Sequence, residues 1–192
     1  RRFVTVHWNK QNAPSFMEPQ VSEEHKRIMR EQLLKGLSGE DSKLSTAVSM
    51  AVAMVANEDY PHAWPQLLPH LLATFQAGTR EQVQGAMRCV VLISEEMTVR
   101  QLPDFITGLF PALFHVLVSS ELFSKGTRAC SCTVALRCMT LAAEAHMHHS
   151  VTDVSFQRSW DYLNQTLPSW IQVLAHVLSS PLEDESAGEL CL

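Results

Sequence analysis

One short segment of this 192-residue sequence has the side chains best suited to metal chemistry. It contains Glu144, His146, His148 and His149. A zinc site needs imidazole and carboxylate groups that converge from one helix face. His148 and His149 are neighbours in sequence, so they point to different faces of a helix. No further set with metal-ligand spacing accompanies them. The pattern favours histidines at a helix end, where the dipole favours positive charge, and we expect no metal or other cofactor.

The cysteines offer a second possible chemistry. There are five of them, and they are Cys89, Cys130, Cys132, Cys138 and Cys191. An odd number without Cys-x-x-Cys spacing predicts free thiols, buried as small hydrophobic groups in a reducing compartment. A catalytic Cys89 would need a histidine beside it in space, which sequence does not establish.

The motifs of the large enzyme classes do not occur in the sequence. It contains no glycine-rich phosphate loop, no Gly-x-Ser-x-Gly elbow and no His-Glu-x-x-His pair. No apolar run reaches the roughly 18–20 residues that a membrane span needs. The formal net charge of -5 argues against direct binding to nucleic acid, but it is compatible with a basic protein partner. We therefore expect a protein-binding chain and not an enzyme.

The apolar pattern predicts an all-α fold. Hydrophobic residues make up 46% of the chain and glycine is scarce, at 7 residues, and the alternation typical of strands is absent. Pro69, Pro111 and Pro168 each lie within an apolar helical stretch, where a proline bends the helix. Helical stretches without proline separate them. Bent and straight helices that alternate in this way predict a stack of helix pairs.

The spacing of these pairs matches HEAT repeats. The first helices of the pairs are predicted to begin near residues 23, 62, 104 and 155. The second helices are predicted at 42–57, 80–97 and 125–147, with a loop at 57–60, and Pro61 and Pro103 open two of the first helices. The intervals of about 39, 42 and 51 residues approximate the roughly 40–47-residue HEAT period. The fold class is therefore an α-α superhelix of HEAT repeats.

The domain organisation follows from this period. Residues 1–8 are predicted to end a preceding repeat, residues 9–180 to form the array, and residues 181–192 to form an acidic, frayed tail. Because the chain starts within an apolar pattern and without methionine, we expect a piece from the amino-terminal part of a longer protein.

Helical periodicity also predicts which residues face the core. In the helix that follows Ser22, the expected N-cap, these are Ile28, Leu33 and Leu37. In the three second helices they are Leu44, Val48, Ala51 and Val55; Val83, Ala86, Val90, Ile93 and Met97; and Ala129, Leu136 and Ala143. In the last helix they are Phe156, Trp160, Leu163, Leu167, Trp170, Leu174 and Leu178. Trp64 and Trp170 are predicted core anchors.

Five segments resemble the importin-β superfamily. The main one is the run Tyr60-Pro61-His62-Ala63-Trp64-Pro65-Gln66-Leu67-Leu68. The others are Phe3-Val4 with His7-Trp8, Ile28-Met29-Arg30-Glu31-Gln32-Leu33-Leu34, Lys43-Leu44-Ser45-Thr46-Ala47-Val48, and Val83-Gln84-Gly85-Ala86-Met87-Arg88. The resemblance implies a monomeric, non-enzymatic nuclear transport receptor that shuttles between cytoplasm and nucleus. Such receptors bind Ran-GTP, basic protein cargo such as histones and ribosomal proteins, and phenylalanine-glycine nucleoporins. A HEAT-repeat scaffold or regulatory subunit unrelated to transport is the alternative.

The resemblance also implies where partners bind, because these receptors use the second helix of each pair as an inner face. The residues that the core stripes leave on other faces of these helices are Lys43, Thr46, Met50, Glu81, Gln84, Arg88 and Glu95. We expect them to contact Ran or cargo; the alternative is ordinary solvated helix surface. Glu95-Glu96 and Glu58-Asp59 are further candidates for attracting a basic cargo. An exposed pair formed by Trp8 and Trp160 would accept a nucleoporin phenylalanine.

Overall fold

The computed structural model describes residues 4, 7–8, 18–37, 42–119, 121–148 and 153–179, and the predicted tail lies outside them. Every regular element in these ranges is helical, which confirms the all-α class. The helices are α1 (Glu23–Gly36), α2 (Ser42–Asp59), α3 (Leu67–Ala77), α4 (Arg80–Glu95), α5 (Leu102–Asp104), a π-helical turn (Phe105–Leu109), α6 (Phe110–Val118), α7 (Lys125–Met147) and α8 (Val154–Ser179).

The chain divides into two compact units, Arg1–Glu96 and Met97–Leu192. In the first unit α1 packs against α2 and α3 against α4, and in the second α6 packs against α7. Successive helices therefore form packed pairs within each unit, which is consistent with the predicted HEAT-type array.

Helix α1 begins where its capping residue predicts. Ser22 has extended backbone angles, and its hydroxyl oxygen accepts a hydrogen bond from the His25 backbone N–H at 3.4 Å. The predicted core stripe is only partly correct: Leu37 is buried, but Ile28 is 42% exposed. Lys26 and Arg30 are buried instead of Ile28. Their charges are compensated by carboxylates, Glu23 for Lys26 and Asp59 for Arg30.

Helix α2 differs from the prediction in its length and in its buried face. It continues to Asp59, so the loop expected at 57–60 is wrong. The predicted stripe is mostly wrong: Leu44 is 57% exposed, Val48 and Ala51 are half-buried, and Val55 alone of its four residues is buried. The face that is buried instead consists of Ser45, Ser49, Val52, Ala53, Val55 and Ala56.

The small residues of α2 are buried because α4 approaches them closely. The Ser49 hydroxyl donates to the Ser45 carbonyl at 2.8 Å and to the Gly85 carbonyl at 3.2 Å. A Cβ atom on Gly85 would lie 2.8 Å from the Leu37 carbonyl oxygen and 2.9 Å from Ser45 Oγ. The serine side chains are small enough for this close contact, and the buried Ser49 hydroxyl is hydrogen-bonded to backbone carbonyls. The larger apolar side chains of α2 would hold the two helices apart.

The segment before α3 forms turns, so the expectation that Pro61 opens a helix is wrong. The backbone N–H groups of Ala63 and Trp64 both donate to the Asp59 carbonyl, at 2.7 and 3.1 Å. Trp64 is buried as predicted, although it lies outside any helix. Pro69 is the third residue of α3, where its missing N–H would have no helical partner, so it does not interrupt the helix interior.

Helix α4 follows the prediction most closely. Gly78 ends α3, and Thr79 forms a capping box with Gln82. The five residues of the predicted stripe are all buried: Val83, Ala86, Val90, Ile93 and Met97.

A π-helical turn interrupts the helical segment just before Pro111. Leu102 and Pro103 begin α5, close to the predicted start. Pro111 is the second residue of α6, directly after the π turn at Phe105–Leu109. A wider turn suits this position, because a proline ring clashes with the carbonyl four residues earlier. Of the three prolines predicted to lie in helix interiors, only Pro168 lies beyond the first turn of its helix, α8.

Helices α7 and α8 complete the second core. The stripe predicted for α7 is wrong, since Ala129 and Leu136 are exposed and Ala143 is half-buried. A neighbouring face of small residues is buried instead, and it consists of Thr127, Cys130, Ser131, Val134, Ala135, Cys138, Ala142 and Ala145.

The stripe of α8 is confirmed in part. Phe156, Leu163 and Trp170 are buried, Trp160 and Leu174 are half-buried, and Leu167 is 37% exposed. The Leu178 side chain lies outside the described residues. Trp170 packs edge-on against Phe110 and Phe114, with ring centroids 5.2 and 5.1 Å away. These aromatic contacts join α8 to α6.

Candidate protein-binding face

Two side-chain contacts show how α2 and α4 lie beside each other. Arg88 Nη1 donates to Thr46 Oγ1 at 3.2 Å, and further along both helices Asn57 Nδ2 donates to Glu96 Oε2 at 2.9 Å. Because the contacts occur in the same order along both helices, α2 and α4 run parallel. Their outward sides therefore form one continuous surface.

All seven predicted contact residues lie outside the core. Lys43, Glu81 and Glu95 are exposed, Met50 is 52% exposed, and Thr46, Gln84 and Arg88 are half-buried. We call the surface that they form the α2–α4 face. Sequence spacing places the members of each set on one side of its own helix. The contact between Thr46 and Arg88 joins the two sets, and sequence reasoning did not anticipate it.

Nearby hydrogen bonds stabilise or orient two charged groups of the face, Glu81 and Arg88. Hydrogen bonds from the backbone N–H of Glu81 itself and from the Thr79 side chain hold the pKa of the Glu81 carboxyl below its usual range. Glu81 therefore keeps its negative charge in the first turn of α4, where the helix dipole also favours an anion. Arg88 is oriented by its bond to Thr46.

A buried polar cluster holds the carboxyl-terminal end of α2 in place. Asp59 Oδ2 accepts hydrogen bonds from Trp8 Nε1 at 2.9 Å and from Arg30 Nε at 2.8 Å. Lys26 Nζ lies 5.6 Å from the centroid of the Trp8 ring and 2.7 Å from Glu23 Oε1. Because Asp59 and Trp8 are buried, this cluster positions α2 and does not itself offer a binding surface.

The burial of Trp8 also corrects one sequence hypothesis. Its exposed fraction is 0%, so it cannot form an exposed aromatic pair with Trp160. Trp160 is half-buried and stacks on His146, with ring centroids 4.2 Å apart and an interplanar angle of 12°.

The residues that suggested other chemistry do not converge on a site. Within the described ranges, no group of His, Cys, Asp or Glu side chains is arranged to hold a metal ion; His149 lies outside them. Cys89 and Cys138 are buried, as predicted, and burial raises the pKa of both thiols, that of Cys138 to about 12. A buried thiol that stays protonated is a poor nucleophile, which disfavours a catalytic Cys89.

Among the helices of the described residues, none is long and apolar enough to cross a bilayer.

Helices that pack in successive pairs are consistent with a HEAT-repeat fold. No protein-family model matches the chain. It is similar to importin-9 of Drosophila melanogaster, with 29% identity over 132 residues that cover 66% of this chain and 12% of the relative. It is also similar to importin subunit beta-5 of Schizosaccharomyces pombe, with 24% identity over 204 aligned residues that cover 100% of this chain and 20% of the relative.

These similarities support an importin-β family relationship, and thus a relationship to nuclear transport receptors. The chain spans only 12% and 20% of the length of these two relatives.

Proposed function

We propose that this chain is a segment of a nuclear transport receptor that binds Ran-GTP and basic protein cargo through the α2–α4 face. The contact between Arg88 and Thr46 carries the proposal, because it merges the outward sides of two parallel helices into one surface. The similarity to two importins supports the class of function.

The mechanism that we propose is exchange between coupled partners. If the surfaces used by Ran-GTP and by cargo are coupled because both include the α2–α4 face, binding of one lowers the affinity for the other, and the effect is reciprocal. A coupling free energy of about 1–3 kcal/mol changes affinity by about 5- to 150-fold, which is sufficient to favour cargo release where Ran-GTP is abundant.

The remaining expectations belong to the same proposal. The receptor contacts phenylalanine-glycine nucleoporins, shuttles between cytoplasm and nucleus as a monomer, and has neither cofactor nor catalytic activity. It binds no nucleic acid or membrane directly, and its net charge of -5 supports the expectation for nucleic acid.

Retention of Ran by the immobilised 192-residue chain tests the proposal. Ran locked in its GTP form should be retained more strongly than the GDP form. Arg88→Glu should weaken retention, because it reverses a charge at the centre of the face, whereas Arg100→Glu, at an exposed position outside the face, should not.

Two outcomes contradict the proposal. Equal retention of both nucleotide forms would favour a scaffold unrelated to transport. Equal effects of Arg88→Glu and Arg100→Glu would exclude the α2–α4 face as the contact surface. Circular dichroism of both variants checks that each remains folded.

A further inference from the structure

The outward side of α2 is unusually apolar for an exposed helix. Lys43, Ala47, Met50 and Met54 follow one another at intervals that align them along one side of the helix. Ala47 is exposed, Met50 is 52% exposed and Met54 is half-buried. A helix side that only faces water is normally polar or charged, so this row needs another explanation.

The charges at the two ends of this row have opposite signs. At one end, Lys43 lies on α2 and Arg88 contacts the next turn through Thr46. The exposed Arg80 and Glu81 at the start of α4 add one charge of each sign, so this end remains net positive. At the other end, Glu96 is tied to Asn57 of α2 and follows the exposed Glu95. Because the helices are parallel, the cationic and anionic ends lie at opposite ends of the apolar row.

We propose that the α2–α4 face docks a cargo segment that combines a row of apolar side chains with a basic end, and that the basic end lies against Glu95 and Glu96. This inference rests on the proposed function, because it names the cargo chemistry that the same face recognises. Met50 and Met54 provide the apolar contact, and methionine adapts to partners of different shape.

Charge complementarity sets the direction of docking. Lysine or arginine side chains are attracted to the glutamates and repelled from Lys43 and Arg88, so the reversed orientation is disfavoured. From Lys43 to Met54 the row spans about 16 Å at 1.5 Å per residue, which corresponds to about three turns of a helical partner.

A photo-crosslinking experiment tests the orientation directly. The probe is a synthetic peptide with leucines at helical spacing followed by four lysines, carrying a diazirine either beside the lysines or at the opposite end. On the 192-residue chain, the lysine-end probe should crosslink near Glu95 and the opposite-end probe near Lys43. The reverse pattern, or no positional preference, would overturn the inference.

Point variants test the two parts of the contact separately. Met50→Gln should weaken peptide binding about three- to tenfold by removing apolar contact. Glu95→Lys should weaken it about two- to fivefold at low salt, with a smaller effect at high salt. The matched controls Leu122→Gln and Glu121→Lys, at exposed positions outside the face, should leave affinity within about twofold.

The outcomes separate this inference from the proposed function. If the peptide docks in the expected orientation but both nucleotide forms of Ran are retained equally, the docking inference stands and the proposed receptor function is contradicted. If Ran is retained in its GTP form only but the peptide crosslinks outside α2 and α4, the proposed receptor function stands and the docking inference is contradicted. A peptide that does not bind, or a Met50→Gln variant that behaves like Leu122→Gln, also overturns the docking inference.

Discussion

Arg30 and Asp59 form a buried ion pair that joins α1 to the end of α2, with 2.5 Å between Arg30 Nη2 and Asp59 Oδ2. Arg30 lies outside the core stripe that the sequence predicts for α1, and Asp59 belongs to a segment that the sequence predicts as a loop. The pair persists because Trp8 Nε1 supplies a further donor to the same carboxylate oxygen. Asp59 is therefore the point at which residues from three separate segments meet.

We predict that Asp59→Asn lowers the free energy of unfolding by about 3–5 kcal/mol, because it removes the buried charge that pairs with Arg30 and leaves only the exposed Glu23 carboxylate, 3.8 Å away. Chemical denaturation measures the change. Glu31→Gln is the matched control, since it removes a 2.7 Å ion pair with Arg27 in which both side chains are more than half exposed. We expect this control to cost about 0–1 kcal/mol. Similar losses for both variants would contradict the structural role of Asp59.

Gly85→Ala should force α4 away from α2. The new Cβ would lie 2.8 Å from a backbone carbonyl oxygen, which cannot move as a flexible side chain does. We expect a loss of about 1–3 kcal/mol in the free energy of unfolding. In Gly36→Ala the nearest atom is a methyl carbon of the Val48 side chain at 3.1 Å, which is able to shift. A Gly85→Ala variant that is no less stable than Gly36→Ala would contradict the close approach.

The exposed prolines Pro168 and Pro69 should respond differently to replacement by alanine. Pro168→Ala restores a backbone donor inside α8, so we expect stabilisation by about 1–3 kcal/mol. Pro69→Ala should change stability by less than about 0.5 kcal/mol, because its position in the first turn of α3 needs no donor. Thermal unfolding of both variants measures the difference. Equal effects would contradict the different helix positions of the two prolines.

Thiol labelling should separate the cysteines of the folded chain. Burial raises the pKa of Cys138 to about 12, so at pH 8 its thiol stays protonated and shielded. Burial also raises the pKa of Cys132, but Arg128 opposes the shift and the side chain is only half-buried. Iodoacetamide should therefore modify Cys132 before Cys138, as read by mass spectrometry.

The sign of the pH effect follows from the reactive species, which is the thiolate. Labelling of Cys138 should increase as the pH rises towards 12, whereas the unfolded chain, with an ordinary cysteine pKa, should react at a lower pH. Equal rates for Cys132 and Cys138 at pH 8 in the folded chain would contradict the burial of Cys138.

The helices could largely be predicted from the sequence because their signals are local. Ser22 caps α1, Gly78 ends α3 and the period of α4 identifies its buried face, since each feature depends on residues within one or two turns. For the same reason, the outward position of Arg88 follows from the period of α4. Thr46 also lies outside the core, but the α2 stripe from which this was predicted is mostly exposed or half-buried.

The buried faces of α2 and α7 were decided only by tertiary structure. Both helices carry small or apolar residues on several sides, so periodicity does not distinguish between the faces. In α2 the choice depends on Gly85, which belongs to another helix and admits the serine side closely.

The burial of Arg30 likewise depends on a partner 29 residues away. The contact of Arg88 with Thr46, 42 residues away, is decided in the same way, and with it the continuity of the α2–α4 face. The sequence by itself therefore determined most of the helices and the side of α4 that points outward, because hydrogen bonds and side-chain period act within a few residues. The buried faces of α2 and α7, and the partners of Arg30 and Arg88, depend on packing between distant segments, which only the tertiary structure specifies.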